Sequence, residues 1–123
     1  MAHPDFFILY VDHPPRSATF YADLFGTAPV ECSPTFALFV LDSGVKFGLW
    51  SKHTVEPATT LIGGGGEVAF SVADRGTVDA LYAEWTQRGL RVAQVPVEMD
   101  FGYTFVVLDP DGHRLRVFVS SGT

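Results

Sequence analysis

Apolar and polar positions alternate along this chain in short bursts, interrupted twice by a stretch of longer period. Phe6–Val11 (FFILYV) is an apolar run of strand length, rich in aromatic and aliphatic side chains. In RSATFYADLFG, Phe20, Tyr21, Leu24 and Phe25 recur at helical spacing and Gly26 stops the helix. Asp12, ahead of Pro14 and Pro15, is the expected cap. Phe36–Leu41 and Val45–Trp50 read as strands joined by Asp42-Ser43-Gly44, with room for a short strand near Val30–Cys32. The same order then returns. Glu67–Val72 (EVAFSV) alternates as a half-exposed strand, and Asp74 can cap a helix that ends at Gly89. Val78, Leu81, Tyr82 and Trp85 stand in it at i, i+3, i+4 and i+7, which makes Trp85 a core residue. Val92–Val97 is a further strand, and Tyr103–Leu108 with Arg114–Val119 forms a hairpin around Asp111-Gly112.

The halves align with each other: Val11 falls on Val72, Tyr21 on Tyr82 and Ala22 on Ala83, and SGVKFGLW lies over DGHRLRVF. The chain therefore reads as α+β, a repeated βαβββ unit with modules at 1–62 and 67–123. Gly63–Gly66 reads as the linker. It is not a phosphate-binding loop, because the required Lys-Ser/Thr is missing. A unit of roughly 60 residues is marginal alone, so the two are expected to share burial within one domain.

Composition narrows the partners. An excess of 14 acidic over 8 basic residues argues against nucleic acid and anionic membranes. No apolar run reaches the ~18 residues of a membrane helix, and Met1–Asp5 lacks the basic start of a signal peptide, so a cytoplasmic protein is expected. The single Cys32 excludes an internal disulfide and a cysteine-type zinc cluster. Eleven phenylalanines are enough to fill a core and also line a cavity.

The doubled βαβββ order and the DPDGHRL turn resemble the vicinal oxygen chelate superfamily of glyoxalases, extradiol dioxygenases, fosfomycin-modifying enzymes and bleomycin-binding proteins. The longer run from FILYV through SPTFALFVLDSG, GGGGE and FGYTF to DPDGHRLRV resembles phenazine antibiotic resistance proteins. The resemblance implies a cupped mixed sheet with helices outside and a cavity within. It also implies a homodimer, with modules paired within one chain or between chains. In metal-dependent members the ligands come from the first and last strand of each module. The corresponding positions here are Phe6, Gly48, Glu67 and Arg116. Phe and Gly carry no ligand atoms and Arg is a permanent cation, so no metal site and no cofactor are expected.

Strand alternation puts Phe6, Ile8 and Tyr10 on one face, with Glu67, Ala69 and Ser71 in the same role, while Phe7, Leu9, Val11, Val68, Phe70 and Val72 meet the helices. The expected cavity has Phe6, Tyr10, Trp50 and Phe118 as walls and Glu67 and Arg116 at its floor. Gly48 would leave room for a flat ligand beside Trp50. Phe101 and Tyr103 form either a lid or ordinary hairpin packing, and His53 and Glu56 either rim the entrance or lie in a solvated loop. Such walls suit a planar aromatic small molecule carrying a carboxylate or an amide. Three function classes compete: sequestration of a phenazine-like antibiotic, a metal-dependent enzyme, and a metal-free enzyme with Glu67 as base. The first is the expectation, with a non-enzymatic role, because the superfamily's ligands are largely missing.

Overall fold

The computed structural model describes residues 2–61 and 63–121, and the chain divides into two compact units, Met1–Ile62 and Gly63–Thr123. The first unit runs β1 (Phe6–Val11), α1 (Pro14–Phe25), β2 (Glu31–Cys32), β3 (Phe36–Val40) and β4 (Lys46–Ser51). Its sheet has the order β1-β4-β3-β2, with β1 parallel to β4 and the other pairs antiparallel. The second unit repeats the plan with β5 (Glu67–Ser71), α2 (Arg75–Gln87), β6 (Arg91–Met99), β7 (Gly102–Leu108) and β8 (Arg114–Ser120), ordered β5-β8-β7-β6. The expected α+β fold of two βαβββ modules is therefore the observed one. Register, too, is equivalent: Phe6 faces Lys46 on parallel β4, and Glu67 faces Arg114 on parallel β8.

One cap is displaced from its expected position. His13, not Asp12, caps α1: its Nδ1 accepts the Arg16 N–H at 3.1 Å. Pro14 and Pro15 occupy the first helical positions and have no N–H to offer, so the first donor in reach of a cap is Arg16. In α2, Asp74 caps as expected, with Oδ1 accepting from the Thr77 N–H at 2.7 Å and the Thr77 hydroxyl at 2.8 Å. β6 is longer than the expected Val92–Val97. Register shifts between Val92 and Gln94 and between Gln94 and Val97 let it accommodate Pro96 at the sheet edge.

Each helix seals one face of its own sheet. In the first unit, Tyr21 packs edge-on against Phe47 at 4.9 Å and Phe25 against Phe39 at 5.5 Å, with Val11, Ala37 and Leu49 buried alongside. In the second, Trp85 meets Phe70 and Phe105 at 5.5 and 5.7 Å and is buried, as its helical spacing predicts. Phe7 departs from expectation. It shares the helix face by alternation, yet stays 52% exposed near the start of an edge strand.

The closing hairpin is organised by Asp109, the first residue of DPDG. Its buried carboxylate accepts the backbone N–H of Asp111 and of His113 through Oδ1, each at 2.8 Å, and Gly112 completes the turn at φ +86°. Gly63 is pressed against this turn: a Cβ there would lie 2.7 Å from the Gly112 carbonyl carbon. Gly102 starts β7 at φ +147°, where an added Cβ would collide with the Val119 carbonyl oxygen.

Gly102→Ala should therefore destabilise the protein by about 3 kcal/mol or more, read as a lowered urea midpoint at unchanged slope. The Thr77 hydrogen bonds hold the Asp74 carboxyl below its ordinary value of 3.8. Its contribution to stability is full above that value and is lost as pH falls through the lowered one. Urea midpoints measured against pH should accordingly show a shallower acid limb in Asp74→Asn than in the wild type.

Candidate functional site

The sheet face opposite each helix holds most of the candidate residues. In the first unit, Ile8, Gly48 and Leu38 are register partners, as are Tyr10, Trp50 and Phe36. Partners in register share a face, so this surface is opposite the one that Phe47 and Phe39 present to α1. Phe36 and Trp50 meet edge to face with centroids 6.2 Å apart. The room expected at Gly48 is already filled: a Cβ there would lie 2.9 Å from Phe36 Cζ and 3.1 Å from Phe6 Cε1. Glycine here lets two phenyl rings close over the sheet. Phe6 and Ile8 remain about two-fifths exposed on this side.

The second unit carries the polar chemistry. Arg116 donates from Nε to Glu67 Oε1 at 2.6 Å and from Nη2 to Glu67 Oε2 at 3.3 Å, a two-pronged ion pair. Its Nη1 donates to Thr104 Oγ1 at 3.1 Å and to Gln94 Oε1 at 3.5 Å. The Thr104 hydroxyl, fully buried, donates in turn to the Val117 carbonyl at 2.8 Å. Phe101 lies 5.6 Å from the guanidinium carbon and packs edge-on to Phe118 with centroids 6.0 Å apart. Glu67, Arg116 and Phe118 thus stand on one face, together with Gln94 and Thr104, which the sequence reading passed over. Alternation alone could have found Thr104, since it stands next to Phe105, which faces the helix, and so on the opposite face. The irregular register of β6 hid Gln94.

Tyr103 is placed elsewhere. It shares its face with Phe105 towards α2, where its hydroxyl donates to Asp79 Oδ1 at 2.7 Å and the Arg75 guanidinium sits 3.9 Å above its ring. The Asp79 hydrogen bond, aided by burial, raises the Tyr103 pKa above its usual value of 10.0. Arg75 also pairs with Glu98. His53 likewise belongs to a separate group: its Nε2 lies 2.7 Å from Asp12 Oδ1, with Lys52 and Arg16 each 3.9 Å from that carboxylate. His53 is the chief reason that the Asp12 carboxyl titrates below its usual range.

The residues that the resemblance assigns to metal-ligand positions do not fit a divalent ion. Phe6 and Gly48 have no donor atoms, and the one carboxylate, Glu67, is engaged by a guanidinium. Among the described residues no group of three His, Cys, Asp or Glu side chains is placed to hold a metal. Nor is any described helix long and apolar enough to cross a membrane.

Comparisons agree with this architecture. The profile of the Glyoxalase/Bleomycin resistance protein/Dioxygenase superfamily matches residues 3–117. The chain is 32% identical over 117 residues to the phenazine antibiotic resistance protein EhpR of Enterobacter agglomerans, covering 93% of this chain and 89% of that one. A protein of Agrobacterium tumefaciens solved by NMR in solution is 56% identical, with a TM-score of 0.92 over 99% of this chain and 100% of its own. A glyoxalase-related enzyme of Fulvimarina pelagi shares the fold at 23% identity, with a TM-score of 0.83 over 98% of this chain and 89% of that one.

Arg116→Met should cost about 2 kcal/mol, because it leaves Glu67 without its partner and the buried Thr104 oxygen without a donor. Adding Glu67→Gln should recover at least part of that loss. Urea denaturation of the two single variants and the double variant measures the coupling.

Proposed function

The chain belongs to the glyoxalase/bleomycin resistance/dioxygenase superfamily, and from that premise we propose that it is a metal-independent binding protein for a planar, phenazine-like aromatic molecule. Sequestration of such a compound would confer resistance to it. The observation that carries this reading is the Arg116–Glu67 pair, with Phe101 and Phe118 beside it, standing at positions where metal-dependent members would need ligands. On the first unit, Phe6, Tyr10 and Trp50 supply a second aromatic surface, closed in at Gly48. Likeness to a phenazine resistance protein over nearly the whole chain supports the same ligand class.

An enzyme using Glu67 as base is less well supported, since both of its oxygens accept from Arg116. The proposal extends to a homodimer, for which the exposed Phe6, Phe7 and Ile8 on edge strand β1 offer apolar surface. The proposal also places the protein in the cytoplasm, where an exposed thiol such as that of Cys32 stays reduced.

Titration of chelator-treated protein with unsubstituted phenazine should quench the partly exposed Trp50 saturably and leave the buried Trp85 little affected. Trp50→Ala should weaken binding by about 1–3 kcal/mol in calorimetry. Absence of saturable quenching, or dependence of binding on added divalent metal, would remove the reading.

A further inference from the structure

Arg116 is positioned as an anchor for an anion, but its charge is already answered. Of the five N–H groups of a guanidinium, two go to Glu67, one to Thr104 and one to Gln94. That leaves a single Nη2 N–H. Arg116 keeps 16% of its side chain exposed and Glu67 33%, so the guanidinium is largely withdrawn from water while the carboxylate stays partly solvated. Thr104 cannot turn away, because it is buried and its own proton is given to Val117. Two of the four bonds thus rest on a carboxylate, and a third on a hydroxyl that is itself held in place.

Resting on the reading that this face takes a planar aromatic ligand, we propose that it selects uncharged ring systems bearing an acceptor or an amide, and discriminates against ring carboxylates. A carboxylate close enough to accept from Arg116 would lie within a few ångströms of Glu67, where like charges repel in a partly desolvated setting. To take the guanidinium for itself it would have to displace Glu67 and strand that charge. An amide meets neither obstacle. Its carbonyl needs only the remaining Nη2 N–H, and its NH2 can donate to Glu67 or Gln94, both acceptors. Two other cations belong to this face by register. Arg114 is exposed and screened by solvent, and Arg91 donates to the Asp109 carbonyl at 3.1 Å, away from Glu67.

The test compares phenazine-1-carboxamide with phenazine-1-carboxylate by calorimetry at neutral pH, with unsubstituted phenazine as the control for the ring itself. Wild-type protein should bind the carboxamide about tenfold more tightly than the carboxylate, or better. Glu67→Gln should close that gap or invert it, since it frees Arg116 for the anion. A wild-type carboxylate affinity equal to or above that of the carboxamide overturns the selectivity, whether or not Glu67→Gln folds. If phenazine then still binds, only the selectivity is lost. If none of the three compounds binds, the ligand reading falls and the selectivity with it.

Discussion

Among the described residues each unit has four strands and a single helix, so only one face of its sheet can be sealed from within the unit. That imbalance governs the distribution of residue types. Towards the helix the chain spends its large interlocking rings: Tyr21, Phe25, Phe39 and Phe47 in one unit, and Phe70, Tyr82, Trp85 and Phe105 in the other. The uncovered face must be stable without a lid of its own. The first unit meets this by folding Phe6 and Phe36 down onto Gly48. The second meets it by cancelling its charges internally, with Glu67 and Arg116 bound to each other and fixed by Thr104.

How much of this could be read in the sequence depends on which kind of periodicity was involved. Strand and helix positions followed from local patterns, and the elements among the described residues fall close to where those patterns put them, the short β2 where room was left for it. The parity of each strand also placed Glu67 and Arg116 on one face, because alternation needs no knowledge of neighbours. What alternation could not supply was lateral detail. Gln94 reaches Arg116 through a strand whose register slips twice, and no pattern in RVAQVPVEM announces the slip. The role of Gly48 was misjudged for a related reason. An empty position in the sequence looks like space, but in the sheet its volume goes to rings from strands on either side. Tyr103 was named as a candidate with Phe101, although it has the parity of Phe105, which faces the helix.

The ion pair also explains how a superfamily scaffold can hold together without the ligand set of its metal-dependent members. A guanidinium supplies positive charge and directional bonds to the carboxylate that remains, as a bound cation would. Unlike a metal ion, it is tethered to β8, cannot exchange, and offers no open coordination position to a reactant. Under the proposed reading, the chemistry of the site is recognition by shape, stacking and a few hydrogen bonds.

The parallel pairing of β1 with β4 carries a consequence for the chain before it is folded. Phe6 must wait for Lys46, and Tyr10 for Trp50, so the most apolar strand of the first unit is synthesised early and paired last. During that interval FFILYV is an uncharged, β-prone segment with no partner of its own, the kind of stretch that seeds aggregation. Its safeguard is local. Asp5 and Asp12 bracket it with negative charge, and Pro14 and Pro15 follow within a few residues, so a stray strand pairing has little room to extend in either direction.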